Sequence, residues 1–182
     1  MDVLRYTSSN IAVLTAVFLT SIKNNEHFIA VRISGNKAET IAKQNPIDSW
    51  FEIQGGLIDS SPNFEGYTFA PISIDSQRVV QIPTASKGLL SCEIIGRLTK
   101  TPEKITKTND FEFVRFSLAV NITNSKTKFF NISVFKPKLI EEVNQLDKGK
   151  TMFVAGELAF YKAGEEQRLS YSIKLERFIV FE

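Results

Sequence analysis

The chain has 182 residues, 43% of them hydrophobic, with fifteen Phe against one Trp, which excludes wholesale disorder and leaves room for one domain or two small ones. A net charge of +2 neither demands nor excludes a nucleic-acid partner. The single cysteine, Cys92, rules out an intrachain disulfide and a cysteine metal cluster.

In chain order, a short strand over 2–7 precedes "IAVLTAVFLTSI" (11–22). That apolar run is too short to span a bilayer, has Asp2 and only one Arg before it, and lacks a small-residue cleavage site after it. It reads as the first arm of a hairpin over 12–33. A helix is predicted from Asn36, with Glu39 three residues on as a capping box. "SWFEIQGGLI" and "YTFAPISI" supply two further strands, and "QIPTASKG" (81–88) is a linker by its Pro, Ser and Gly.

The same order then returns. "LLSCEIIGRLTK" (89–100) opens as a strand, and 113–122 with 128–135 form a hairpin around "TNSKT". Pro137 starts a helix whose apolar side is Leu139, Ile140 and Val143. "TMFVAGELAF" and "LSYSIKLERFIVF" close the set. Sliding the chain by 101 positions lays Val13 on Val114, Phe28 on Phe129, Gly55 on Gly156, Ile72 on Ile173 and Val79 on Val180, a sequence repeat. Strands with one helix between the third and fourth are the layout of a small Greek-key barrel of the OB type. The expected fold is therefore all-β: two tandem OB-fold barrels, at 1–82 and 89–182, joined by a linker at 83–88. The first is degenerate or truncated at its first strand, or else is completed by the short strand 2–7, since only "MDVLRYTSSN" is available there.

Residues 1–88 carry seven Lys/Arg and eight Asp/Glu, whereas 89–182 carry fifteen and twelve. Positive charge gathers in the second copy. "LLSCEIIGRLTKTPE", "FVRFSLAVN" and "FFNISVFKPKLIEEVNQLDKGKTMFVAGEL" occur there in order, and this half of the chain resembles the single-stranded DNA-binding proteins of the bacterial and mitochondrial type. In that family a strand ending in G-R-L, the run F-S-L-A-V-N and V-x-G-x-L mark the first, second and fourth strands. The resemblance implies binding of single-stranded DNA without sequence preference and without a cofactor. It also implies assemblies of four barrels, hence a homodimer here. Two departures stand out: Lys136–Pro137 follows Phe135 where the family has G-K, and the chain stops at "RFIVFE" rather than in an acidic tail, so recruitment of partner proteins through a tail is not expected. A cytoplasmic setting follows, with a bacterial, plasmid or phage host; an organelle stays open.

Alternation gives the faces. On 128–135, Phe130, Ile132 and Val134 form an apolar core side, which turns Phe129, Asn131, Ser133 and Phe135 outward. On the neighbouring strand Val114, Phe116, Leu118 and Val120 point in, and Arg115, Ser117, Ala119 and Asn121 point out. Phenyl rings stack on any base without a hydrogen-bond pattern that selects one, and lysines neutralise phosphates. Phe129 and Phe135 are thus the expected stacking residues; both also fall on stacking positions of the resembled family. Phe160 and Tyr161, just past the fourth strand, join them. Arg97, Arg115, Lys126, Lys128, Lys136 and Lys138 are the expected phosphate contacts. Packing beneath a loop or another barrel is the alternative for each ring.

The first copy shows Phe28, Ala30, Arg32 and Ser34 with Leu14, Ala16, Phe18 and Thr20 on the corresponding face. That surface is more aliphatic and suits barrel packing, although Phe28, Arg32 and Trp50 could extend a DNA path. Catalytic chemistry is not expected. His27 is the only histidine, Glu141 and Glu142 diverge on a helix, and Gly55–Gly56 sit inside a strand, where they let the sheet bend. No metal or cofactor is expected. The rival readings are a protein-interaction subunit of a replication, restart or conjugation complex, and an RNA-binding protein.

Overall fold

The structure is a computed structural model that describes residues 4–22, 25–58, 69–84, 90–106, 111–123, 126–163 and 168–181. It divides into two compact units, Met1–Gly88 with Gln167–Leu169, and Leu89–Glu166 with Ser170–Glu182. Most of the linker expected at 83–88 lies outside the described residues.

The first unit contains β1 (Arg5–Tyr6), β2 (Ala12–Ile22), β3 (Asn25–Ser34), α1 (Asn36–Gln44), β4 (Trp50–Ile58) and β5 (Phe69–Ile82). The second contains β6 (Ser91–Leu98), β7 (Glu103–Thr106), β8 (Glu112–Thr123), β9 (Lys126–Val134), α2 (Pro137–Val143), β10 (Thr151–Ala163) and β11 (Arg168–Phe181).

The second unit is a closed barrel. Its sheet runs β6-β10-β11-β9-β8-β7, and an additional β6–β8 pairing, Arg97 opposite Ala119 and Leu98 opposite Leu118, shuts the ring. β9 and β11 are parallel, with Ile132 opposite Ile173, as the OB layout requires. Val114, Phe116, Leu118, Phe130, Ile132, Val134, Met152, Val154, Ile173 and Leu175 fill the interior and are essentially inaccessible to solvent. Burying a side chain of this kind contributes about 1.5–3 kcal/mol. Pro137 occupies the first turn of α2, as expected, and Val143 plugs the barrel from that helix. The short β7, beside β8, was not foreseen.

In the first unit the sheet runs β1-β2-β3-β5-β4 and, among the described residues, no pairing joins β4 back to β2. β1 sits on β2 with Arg5 opposite Val13, the place that β7 takes on β8 rather than that of β6. The expected truncation is therefore real in the described residues: the closing strand has no counterpart. Phe18 and Phe51 instead meet edge to face across that gap, ring centroids 5.5 Å apart. The core behind them is Leu14, Ala16, Val31, Ile33 and Val79, covered by Ala38 and Ile41 of α1. The expected capping box does not form. Gly35 occupies the N-cap without a side-chain bond, and Glu39 accepts a 3.2 Å hydrogen bond from the Tyr6 hydroxyl instead.

Leu14 and Ala16 were expected outside and lie inside. The cause is one residue. Both hairpins turn alike, Ile22 opposite Asn25 and Thr123 opposite Lys126. In β8 the register then shifts between Asn121 and Thr123, so that Val114 faces Val134; β2 has no such bulge, and Leu14 faces Ile33. A bulge slips a strand by one, and a slip of one exchanges the faces. The uniform 101-position repeat fails again in the last strand, where Ile74 faces Val31 as Ile173 faces Ile132. That slip is two residues, so the faces are kept.

Both copies of the matched glycine keep their role. A Cβ on Gly55 would collide with the carbonyl oxygen of Asp75, and one on Gly156 with that of Lys174. In each unit two strand backbones approach more closely than any side chain allows.

Candidate nucleic-acid interface

The outer face of β8 and β9 is built by the alternation that fills the barrel. Ala119 lies opposite Phe129, Ser117 opposite Asn131 and Arg115 opposite Ser133. Phe129 is 63% exposed. Around it the face is polar and small: Ser117 Oγ and Asn131 Oδ1 are 2.7 Å apart, and Thr127 Oγ1 donates to Asn121 Oδ1 at 2.9 Å. A solvated phenyl ring amid such residues is not explained by packing within this sheet.

Phe135 is half-buried rather than free. Its ring stacks on Phe113 (centroids 5.3 Å, planes 26° apart) and on Phe111 (5.9 Å, 28°), and Lys174 Nζ lies 6.0 Å from its centroid. Phe113 is buried beneath the cluster, with the Arg115 guanidinium 5.5 Å from its centroid. Arg115 Nε is itself buried and finds no hydrogen-bond partner among the described residues. The sequence reading missed Phe111, Phe113 and Lys174. Continuing the odd-position alternation of β8 two steps back from Arg115 would have found the two rings. Lys174 needed the parallel pairing that sets it opposite Ser133.

Lys128 is a correction. It was expected beside the exposed rings but is only 6% exposed, with Nζ 5.1 Å from the Phe130 centroid and 5.6 Å from that of Tyr171. Lys128 has the parity of Phe130 and Ile132, so the pleat turns it inward, where aromatic faces hold its ammonium. Phe160 and Tyr161 also move: β10 continues through them to Ala163, so they are half-buried strand residues rather than loop residues.

The cations divide into two sets. Lys126, Lys136 and Lys138 are exposed, the first at the start of β9 and the others where α2 begins. Arg97 is exposed opposite Ala119 and Thr151, its Nε donating to the Gly149 carbonyl at 2.9 Å. Lys100 pairs with Glu103, and Lys104 with Glu112 at 2.7 Å, so part of the local positive charge is neutralised within the sheet. In the first unit, Arg32 is 3.8 Å from Asp75, Trp50 is 52% exposed and Phe28 is partly buried.

Burial, with Glu93 adding to it, pushes the Cys92 thiol up to about 11, and burial lowers the His27 pKa. Among the described residues no group of three or more His, Cys, Asp or Glu could hold a metal ion, and no helix is long and apolar enough to cross a membrane.

The wild-type single-stranded DNA-binding protein from Thermus aquaticus superposes with a TM-score of 0.68 at 19% identity, covering 98% of this chain and 86% of that one. A deletion variant of the Thermus aquaticus protein gives 0.68, 19%, 98% and 87%. At that identity the likeness establishes the fold. No curated protein sequence matches the chain. The single-strand binding protein family matches residues 90–179, the closed barrel with its exposed β8–β9 face. Residues 90–179, the closed barrel, belong to the single-strand binding protein family.

Proposed function

We propose that the chain binds single-stranded DNA with little regard to sequence, on the outer face of β8 and β9. Family membership supports the ligand class, and the Thermus aquaticus protein of like fold is by name a single-stranded DNA-binding protein. One observation carries the reading to a site: Phe129, 63% exposed in the middle of a Ser, Asn and Thr surface. A base stacks on it, Phe135 takes part through its ring cluster, and Phe160 and Tyr161 flank the path from β10. Arg97, Arg115, Lys126, Lys136 and Lys138 neutralise phosphates. Replication, repair, recombination or the upkeep of a mobile element are the processes that use such an activity.

Residues 89–182 act as the binding domain, and residues 1–82 as its companion across the 83–88 linker. Two copies of the chain then pool four barrels. Exposed Ile95, Ile179 and Phe181 on the second unit, beside the Glu93–Arg177 ion pair at 3.0 Å, support association with a second copy.

The test is a titration of labelled oligo-dT at two salt concentrations. For single strands log K falls by about 0.7 per phosphate neutralised for each tenfold rise in salt, so five cations give about a 100-fold loss between 50 and 200 mM. Negligible affinity together with a defined protein partner would favour the interaction-subunit reading, and preference for oligo-U over oligo-dT would favour RNA.

A further inference from the structure

The three-ring cluster at the far end of the β8–β9 face has one open side, and it belongs to Phe111. Phe113 is buried with Arg115 against it, and Phe135 is held between Phe113 and Lys174. Phe111 rests on both, 5.9 Å and 28° from Phe135 and 6.4 Å and 33° from Phe113, yet is 52% exposed. Resting on the other two rings, it is a supported platform rather than a loose side chain. From this geometry we infer that Phe111 is a second base-stacking platform, with Phe113 and Phe135 as its floor and Arg115 and Lys174 as the cations beside it.

The inference rests on the proposed DNA-binding face and moves one of its stacking positions. Phe135 has its ring taken up on one side by two phenylalanines and approached by an ammonium group, so the ring left for a base is Phe111. A base laid on Phe111 continues a near-parallel series of rings, the offset geometry that aromatic groups favour. The two platforms stand at opposite ends of one face. Phe129 lies opposite Ala119, and the eight residue steps from Phe111 to Ala119 span about 26 Å. At a stacked rise of about 3.4 Å this is roughly eight nucleotides, within the ~4–16 that a single OB fold occupies. The ligand is therefore an unpaired strand long enough to reach both rings.

Two measurements on the full chain decide it. Oligo-dT of twelve nucleotides carrying 5-iodouracil near either end is irradiated with the protein, and the adducts are mapped by mass spectrometry; adducts at both Phe129 and Phe111 are expected. In parallel, Phe111→Ala should weaken oligo-dT binding about five-fold or more. Phe111→Leu, which keeps an apolar cover over Phe113, should weaken it as much, with unchanged thermal melting. Adducts at Phe129 but none at Phe111, or a Phe111→Leu protein that binds like the wild type while Phe129→Ala does not, would overturn the platform and leave the DNA-binding reading intact. Failure of the wild-type chain to bind oligo-dT at all would overturn both.

Discussion

The two units carry nearly the same strand layout, yet they present different surfaces, and a bulge that β8 has and β2 lacks shifts by one which residues of the repeat share a face. With the bulge, Val114, Phe116 and Leu118 turn inward, and Phe113, Arg115 and Ser117 line the outer face. Without it, Leu14 and Ala16 become the core, and Val13, Thr15 and Val17 face out. The second unit closes through β6; among the described residues the first ends at β4, and Phe18 and Phe51 pack edge to face against its core. A repeat in sequence need not be a repeat in surface. One inserted residue decides which positions of the repeat are equivalent, and the side chains on those positions make one face aromatic and basic and the other aliphatic.

The harshest way to break the comparison is to reverse the parity of β8 at one step, by combining Arg115→Phe with Phe116→Arg. The exchange removes a fully buried ring and puts a guanidinium inside the closed barrel, a loss of several kcal/mol. Urea denaturation should show the second unit unfolded, and oligo-dT binding should vanish; a stable, DNA-binding variant would mean that the inward side of β8 is not fixed. Deleting Ile122 should do far less, because without the extra residue Asn121 stays opposite Thr127 and Val114 opposite Val134.

A gentler cut compares the matched rings of the two faces. Phe129→Ala should cost about 1–3 kcal/mol of oligo-dT affinity, as one lost stacking contact does. Phe28→Ala should change affinity by less than about 0.5 kcal/mol if the first unit stands outside the DNA path. Trp50, the only tryptophan, gives an independent signal: its fluorescence should be insensitive to oligo-dT. Quenching of Trp50 would extend the path into the first unit.

The smallest effect concerns Cys92, inside the closed barrel. Its thiol is raised from 9.0 to about 11 by burial and by Glu93. The unfolded chain therefore releases this proton first. The stability that Cys92 contributes is complete below about pH 9 and disappears as pH climbs to 11, at most about 2–3 kcal/mol. Cys92→Ala should flatten the denaturation profile in that window; an unchanged alkaline profile would mean that the thiol does not titrate with unfolding.

Much was legible beforehand because strands of period two write their faces into the sequence. The β9 pattern placed Phe130, Ile132 and Val134 inside and Phe129 outside. The misreadings have common physical causes. Lys128 was judged by its charge rather than its parity. The faces of β2 were carried over from β8 across a bulge that leaves no composition signal. Phe111 lies before the run 113–122 that marks the strand, and Phe113 is its first residue, one step beyond the outward set that starts at Arg115. Phe135 was judged as an isolated ring, whereas cross-strand and diagonal neighbours enclose it.

What the sequence determined alone is the order of the long strands and the helices, the apolar side of most strands and the concentration of cations in the second half, since each follows from local spacing along one chain. Tertiary structure decided the register of β2 against β8, the absence of a closing strand in the described first unit, and which of several phenylalanines keeps a free ring. Those depend on which strand lies beside which, and a pairing between distant residues has no local signature.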